Sequence, residues 1–201
     1  MKKLLLKIAR IPALGKLVGW VVKYFGSLLP LKKVVDNREI IVFHHPMPSS
    51  SVHLLAMLKA QVPDVRSITP QQFSSVLSAA SEAAKKLNLS APHILVLTNG
   101  GRFQEVKQLH FHIYPSETSP ESDIRAAGTK IFGGIQVREY MRGDSAQPNL
   151  LIADVLPEDF PGVLPAVCNA YAENGRGYRV FCDLNYPGKI YIRLENREPA
   201  A

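Results

Sequence analysis

The alternation of apolar and polar residues along the chain predicts two similar sets of strands and helices. The first set runs strand, strand, helix, strand, strand, with bounds at 39–45, 52–58, 70–87, 93–98 and 106–114. The second set has the same order, at 135–141, 149–155, 157–173, 178–183 and 188–194. Alternation with period two indicates half-buried strands, whereas apolar spacing of three and four residues indicates helices. We therefore expect an α+β fold of two ββαββ repeats, with antiparallel sheets and one helix per repeat.

The two predicted helices match each other position by position. At one constant offset, Pro70, Phe73, Val76, Leu77, Ala79 and Ala83 correspond to Pro157, Phe160, Val163, Leu164, Ala166 and Ala170. Self-similarity of this kind predicts an internal duplication. Since each repeat alone would expose a sheet edge, we expect the two to pair.

These patterns divide the chain into four parts. Residues 1–35 form a basic leader, 36–118 the repeat that carries the histidines, 119–129 a linker and 130–201 a degenerate second repeat. The linker is predicted from its Ser, Pro and charged residues.

The formal net charge of +7 comes from the leader, which holds eight Lys or Arg and no Asp or Glu. The remaining residues are almost balanced, so we expect no specific nucleic-acid partner. The leader has amphipathic helical spacing and lacks an apolar run long enough to span a bilayer. It is therefore predicted to bind an anionic membrane surface through residues 1–33, with docking on the protein itself as the alternative.

The two cysteines, Cys168 and Cys182, lie in apolar contexts typical of small buried side chains. Two cysteines are too few for a disulfide framework, which indicates a reducing compartment. Together with the leader, this predicts a cytoplasmic protein at the inner face of a membrane.

The strand around residue 110 carries the candidate chemistry. Alternation places Gln108, His110 and His112 on one face. Such a pair of imidazoles can ligate a metal, form a structural pair, or combine a phosphorus nucleophile with an imidazolium that stabilises charge. His53 and His93 are the nearest further ligands and no Cys or carboxylate motif accompanies them, so we predict neither a metal nor a cofactor.

Residues 38–115 resemble the histidine-triad (HIT) superfamily of nucleotide hydrolases and transferases. The family pattern is Asn-x-Gly followed by Gln-x-Val-x-His-x-His-x-His, and this chain matches it at Asn99, Gln104, Val106, His110 and His112. The resemblance implies a HIT-like fold and a nucleotide or nucleotide-like partner. It also implies attack on the α-phosphate of a nucleoside phosphate ester, phosphoramidate or polyphosphate, through a nucleotidyl-histidine intermediate.

The same resemblance implies roles for individual residues. The catalytic set is His110 as nucleophile, with His112 and His53 holding the phosphate, and the substrate-binding set is Asn99, Gly100, Gln104 and Gln108. Gln108 replaces the first histidine of the triad. That departure motivates the alternative of a catalytically impaired, membrane-associated nucleotide-binding or scaffold protein.

The second repeat keeps the apolar pattern and loses the histidines. This arrangement resembles the HIT branch in which two units share one chain, so the second repeat can replace a partner subunit, and a homodimer stays open. Lys189 and Arg193 lie on its matching strand face, as an exposed surface or as a cationic wall. Arg179 is interpreted as a solvated charge, with contact to a phosphate across the interface of the two repeats as the alternative. His45 is interpreted as solvated or close to a ribose.

Overall fold

A computed structural model describes residues 31–104, 106–157, 159–172 and 177–195. The amphipathic helix predicted for the leader lies outside these residues. Within the described part of the chain, no helix is both long enough and apolar enough to cross a membrane.

The described residues form one antiparallel sheet with two α-helices. The strands are β1 (Lys33–Asp36), β2 (Ile40–His44), β3 (Leu54–Leu58), β4 (His93–Gly100), β5 (His110–Ser116), β6 (Ile124–Phe132), β7 (Ile135–Arg142), β8 (Leu150–Asp154), β9 (Gly177–Asp183) and β10 (Lys189–Glu195). The helices are α1 (Pro70–Lys86) and α2 (Leu164–Ala172). Short 3-10 turns occur at Val65–Ser67, Gly101–Phe103 and Phe160–Gly162. The α+β class expected from the sequence is confirmed.

The order of the strands across the sheet is β1-β2-β3-β5-β4-β9-β10-β8-β7-β6. Counted inward from either edge, the two halves run β1-β2-β3-β5-β4 and β6-β7-β8-β10-β9. The halves meet where β4 pairs with β9, from Leu95 opposite Asp183 to Gly100 opposite Tyr178. This pairing satisfies the backbone groups of both inner edges and makes one continuous sheet.

Two strands are absent from the predicted set. β1 includes residues 33–35 of the predicted leader, and β6 includes residues 124–129 of the predicted linker. Most of β6 is exposed at the edge of the sheet, where it pairs only with β7 through its backbone. An exposed edge strand needs no apolar alternation, so its sequence gives no signal for a strand.

The second helix is shorter than its predicted span of 157–173. Residues Phe160–Gly162 form a 3-10 turn, and α2 begins only at Leu164. Pro161 and Gly162 account for the difference, because proline supplies no N–H for a helical hydrogen bond and glycine favours other conformations. The first helix follows its prediction closely, with a capping box between Thr69 and Gln72 at its start.

Both helices cover the same face of the sheet. They enclose the main core, in which Phe73 and Val76 of α1 and Val167 of α2 are almost fully buried. The opposite face carries two smaller apolar groups on either side of the histidines, one of them around Phe43 and the other around Phe181. Cys168 and Cys182 are free and buried, as predicted, and burial raises the pKa of both thiols to about 12.

Asp183, at the end of β9, links the two halves of the sheet through hydrogen bonds of its side chain. Its side chain is 1% exposed and accepts hydrogen bonds from His93 Nδ1 at 2.6 Å and from the N–H of Ile94 at 3.1 Å. It also accepts from the N–H of Asn185 at 3.0 Å. A buried carboxylate with this many donors fixes the register between the two halves.

Replacing Asp183 by Ala is expected to lower the free energy of unfolding by about 2 to 3 kcal/mol, because three donors, one of them the buried N–H of Ile94, lose their acceptor. Urea denaturation measures the change. Asp154→Ala is the matched control, since the carboxylate of Asp154 pairs with Arg138 and its side chain is 54% exposed. It should cost less than about 1 kcal/mol. Equal losses of unfolding free energy in the two variants would show that the hydrogen bonds of Asp183 do not stabilise the contact between the halves.

Candidate active site

The strand β5 presents His110 and His112 on the face opposite the helices. The intervening Phe111 and the next residue Ile113 are buried in the main core, so the alternation predicted from the sequence is confirmed here. The two imidazole rings lie with their centroids 5.2 Å apart. On the neighbouring strands, His112 is opposite Leu55 and Leu97.

Two further histidines reach this face from the ends of β2 and β3. His53 precedes β3, is 8% exposed, and places its Nε2 2.8 Å from Nδ1 of His112. His45 follows β2 and stacks on the ring of His53 with centroids 4.2 Å apart. The stacking partner of His45 could not be read from the sequence, because the turn between β2 and β3 brings the two rings together.

Backbone partners fix which nitrogen of each ring carries the proton. The carbonyl of Gln108 must accept from Nδ1 of His110, at 2.9 Å, so in neutral His110 the lone pair is on Nε2. The N–H of Met47 donates to Nδ1 of His45, at 3.0 Å, so in neutral His45 the proton is on Nε2.

The same reasoning shows which nitrogens of His53 and His112 carry the protons. The N–H of Ser49 donates to Nδ1 of His53 at 3.3 Å, so Nε2 of neutral His53 carries its hydrogen. That hydrogen is donated to Nδ1 of His112. The remaining proton of neutral His112 is therefore on its Nε2, where it can be donated to an anion.

Burial keeps the inner histidines neutral. It lowers the pKa of His112 to about 3, with the neighbouring histidines adding to the effect, and lowers that of His53 to about 4. The pKa of His45 is also lowered, again mainly by burial. An imidazolium was expected beside His110; in the free protein at neutral pH, His112 is instead a neutral N–H donor.

His45, His53 and His112 each offer one nitrogen within 4.8 Å of the others, a spacing that a metal ion could use. A metal-bound imidazole usually donates its second N–H to a carbonyl or carboxylate. Here the second nitrogens of His45 and His53 accept from backbone N–H groups instead. This polarity suits binding of an anion better than binding of a cation.

Gln108 and Gln104 lie apart from the histidine face. The side chain of Gln108 is fully buried and donates to the carbonyls of Leu58 and Ala60, because β5 begins only at His110 and not at residue 106. The structure thus places this side chain away from the face that it was expected to share with His110, and its contact with a phosphate stays a prediction. Gln104 donates from its side chain to the carbonyls of Pro63 and Val106.

Asn99 lies two residues beyond Leu97 on β4 and so shares the face of His112. Its Oδ1 accepts a hydrogen bond from Nε of Arg179 at 3.3 Å. Arg179 is directly opposite on β9 and is half-buried, so it is not simply a solvated charge. The second half of the sheet thus supplies a cation beside Asn99, on the side of the alternative that the sequence leaves open for Arg179.

Glycine is required where the loop after β4 packs against β9. A side chain at Gly100 would run into the ring of Tyr178, and one at Gly177 would run into the ring of Phe103. Tyr178 is 2% exposed and has no room to move away. The end of β4, with Asn99 and Gly100, and the turn that follows it are therefore held in place by the second half of the sheet.

Comparison with known proteins agrees with this geometry. The model of the HIT domain family matches residues 28–119. A HIT-like protein of Helicobacter pylori is 33% identical over 93 residues, which are 45% of this chain and 89% of that relative.

Solved structures show the same likeness. A HIT-like protein is 31% identical, covers 47% of this chain and 94% of its own, and gives a TM-score of 0.43. A HIT family hydrolase from Clostridium thermocellum is 24% identical. The match covers 51% of this chain and 95% of that structure's chain, with a TM-score of 0.45. Yeast Ap4A phosphorylase is only 12% identical but covers 80% of this chain and 59% of its own, with a TM-score of 0.51. That last likeness shows a fold that extends well beyond the residues matched by the family model.

The lowered pKa values predict how stability depends on pH. In the unfolded chain His112 titrates near 6.5, and in the folded chain near 3, so only the unfolded chain gains this proton between those values. The contribution of His112 to stability is complete above pH 6.5 and declines as the pH falls below it.

His112→Gln removes this contribution. The free energy of unfolding of the variant should therefore decline less steeply than that of the wild type between pH 6.5 and 5, a range in which ordinary carboxylates stay largely ionised. Urea denaturation at half-unit steps measures both slopes. Parallel curves would contradict a neutral His112.

Proposed function

Because this chain belongs to the histidine-triad (HIT) superfamily, we propose that it is a nucleotide hydrolase or nucleotidyl transferase acting at the α-phosphate of a nucleotide. The observation that carries the proposal is the hydrogen bond from Nδ1 of His110 to the carbonyl of Gln108. With its proton on Nδ1, the neutral ring has its lone pair on Nε2, as a nucleophile requires.

In the first step, Nε2 of His110 attacks the α-phosphorus, and the bond from phosphorus to the leaving group breaks. The imidazole becomes cationic as it bonds to phosphorus, and the carbonyl of Gln108 stabilises that charge through Nδ1–H. In the second step, water or another acceptor attacks the phosphorus, the N–P bond breaks, and the electron pair returns to Nε2. With water, the products are a nucleoside monophosphate and one proton.

His112 binds the phosphate in this mechanism through its Nε2–H. The hydrogen bond from His53 to Nδ1 of His112 holds that ring in the donor tautomer, and Ser49 in turn orients His53. A neutral donor that is already oriented needs no reorganisation as charge develops on the phosphate oxygens. Asn99 orients the phosphate from the adjacent strand.

The alternative of an impaired scaffold protein depends on the absence of the first triad histidine. The position of Gln108 weakens that reason, because its backbone carbonyl, which every residue possesses, is the group that orients His110. Its side chain stabilises the end of β3 instead. The enzymatic function is therefore the better supported of the two.

We also propose that the second half of the sheet takes the place of a partner subunit. The matching strand order of the halves and the matching apolar pattern of their helices both support a duplicated unit. The second half has Tyr191 and Arg193 where the first has His110 and His112, so one chain would carry one nucleophile.

His110 is tested by trapping the intermediate. Wild-type protein mixed with adenosine 5′-phosphoramidate and quenched with denaturant should gain the mass of one AMP group on His110. His110→Ala should gain none and should turn over at least about 1000-fold more slowly, because the nucleophile is lost. Intact-mass and peptide mass spectrometry detect the adduct.

His44→Ala is the matched control, because His44 lies next to the cluster but is paired with Leu54, whose side chain is in the main core on the helix side. It should retain both the adduct and most of the turnover. Equal turnover by wild type and His110→Ala would end the enzymatic proposal.

We further propose that the basic leader binds anionic lipid, because its eight cations come without a single acidic residue. The full chain should float with vesicles that contain 30% phosphatidylserine and not with phosphatidylcholine vesicles. Replacing Lys2, Lys3 and Lys7 by Gln should reduce flotation with the anionic vesicles. Flotation that is insensitive to both lipid charge and these substitutions would contradict an electrostatic anchor.

A further inference from the structure

The open face of the first half carries a shielded apolar group, although α1 and α2 both cover the other face of the sheet. This group, called the β2–β3 patch, consists of Ile41, Phe43, Leu55 and Met57, none of which is more than 9% exposed. Among the described apolar side chains, only Leu31 packs against it from outside the two strands. A sheet face without a covering layer would leave such side chains in contact with water. The shielding therefore needs a further segment of the chain.

The β2–β3 patch adjoins the candidate active site. Met57 is directly opposite His110 on the neighbouring strand, and Leu55 is directly opposite His112. Residues directly opposite each other in antiparallel strands share a face. The segment that covers the patch therefore lies beside the histidines.

The second half shows how a connecting segment covers the open face. Residues 117–123 join β5 at the centre of the sheet to β6 at its edge. Within this connection, Glu121 accepts a hydrogen bond from Tyr191 of β10 at 2.9 Å. Ser122 accepts one from Arg142 of β7 at 3.3 Å. The connection thus passes over the apolar group of the second half, to which Tyr191 belongs.

The duplicated strand order gives the leader the equivalent position in the first half. Counted from the two edges, β1 corresponds to β6, so the leader enters β1 as residues 117–123 enter β6. The carbonyl of Lys32 accepts a hydrogen bond from the N–H of His44 at 3.0 Å. The preceding residue, Leu31, packs on the β2–β3 patch. The leader therefore joins the described chain at the margin of the patch.

The composition of the leader suits this position. At helical spacing, the stretch 14–28 has one polar face and one apolar face, the latter made of Leu14, Leu17, Val18, Val21, Phe25 and Leu28. A helix over this stretch would be about 22 Å long, which exceeds the distance of about 14 Å from β1 to β5. The other stretches outside the described ranges, 173–176 and 196–201, have no apolar side chain larger than proline.

We propose that residues 14–28 of the leader pack their apolar face on the β2–β3 patch and form a wall of the site beside His110. The occupant is the leader of the same chain, not a lipid bilayer or a second copy. Attachment through Leu31 gives the leader a high effective concentration at the patch. The polar face, with Lys16 and Lys23, stays available to anionic lipid. This packing does not depend on the proposed role of His110 as a nucleophile.

Methionine methyl groups report on the patch in the full chain. With ¹³C-labelled methionine methyl groups and a soluble nitroxide, the signal of Met57 should broaden little, because its side chain is covered. The signal of Met47 should broaden strongly, since its side chain is 48% exposed. Val21→Asp puts a carboxylate on the apolar face of the leader and should increase the broadening of Met57 at least about 3-fold, because the charge cannot be buried on the patch.

Gly19→Asp is the matched control, because it adds the same carboxylate to the polar face of the leader. It should leave Met57 protected. The signal of Met141, on β7 in the second half, should be the same in both variants if the sheet stays folded. Equal broadening of Met57 in the wild type and in Val21→Asp would overturn the proposed packing, as would a wild-type Met57 that broadens like Met47.

A second measurement uses the wild-type chain alone, so it does not depend on the folding of a variant. Photo-methionine at position 57 should cross-link to peptides from residues 14–28, and a mixture of ¹⁴N and ¹⁵N chains should show that both ends belong to one chain. Cross-links between chains would assign the patch to a second copy, and absence of the leader among the cross-linked peptides would exclude it; either result overturns the packing. Anionic vesicles should leave the cross-link in place. Its loss on their addition would assign the apolar face to lipid instead.

Discussion

The antiparallel pairing of β4 with β9 is the constraint on which the rest of the structure depends. It joins the halves into one sheet, satisfies the backbone groups of two strand edges, and sets Arg179 opposite Asn99. It also requires glycine at position 100, which packs against the ring of Tyr178, and at position 177, which packs against the ring of Phe103. Arg179 of the second half can therefore contact Asn99 of the first half only while β4 and β9 are paired.

The chemistry of the site depends on hydrogen bonds between neutral groups. Three backbone contacts, at His45, His53 and His110, fix the proton positions, and the bond from His53 sets the proton position of His112. Burial opposes protonation of His45, His53 and His112, so these rings hydrogen-bond as neutral groups without like-charge repulsion. The positive charge beside Asn99 comes from Arg179 of the second half.

The sequence predicted most of this fold because its core strands and α1 follow simple periodicities. It also predicted that His110 and His112 share a face, since β5 is half-buried throughout. The sequence did not predict β6, because an edge strand pairs only through its backbone. It also misplaced Gln108, because the alternating pattern continues to residue 108 whereas β5 begins only at His110. The contributions of His45 and Arg179 depend on a turn and on a contact between distant strands, and neither leaves a local signal. The family resemblance suggests a role for His110 but assigns none to residues of the second half.

The proposed role of His110 requires a neutral imidazole with its lone pair on Nε2. Imidazole ¹⁵N chemical shifts of the protein at pH 7 test this directly. We expect a protonated Nδ1 and an unprotonated Nε2 for His110, and the reverse tautomer for His45 and His53. Protonation of both nitrogens of His110, or a proton on Nε2 alone, would contradict the proposed role.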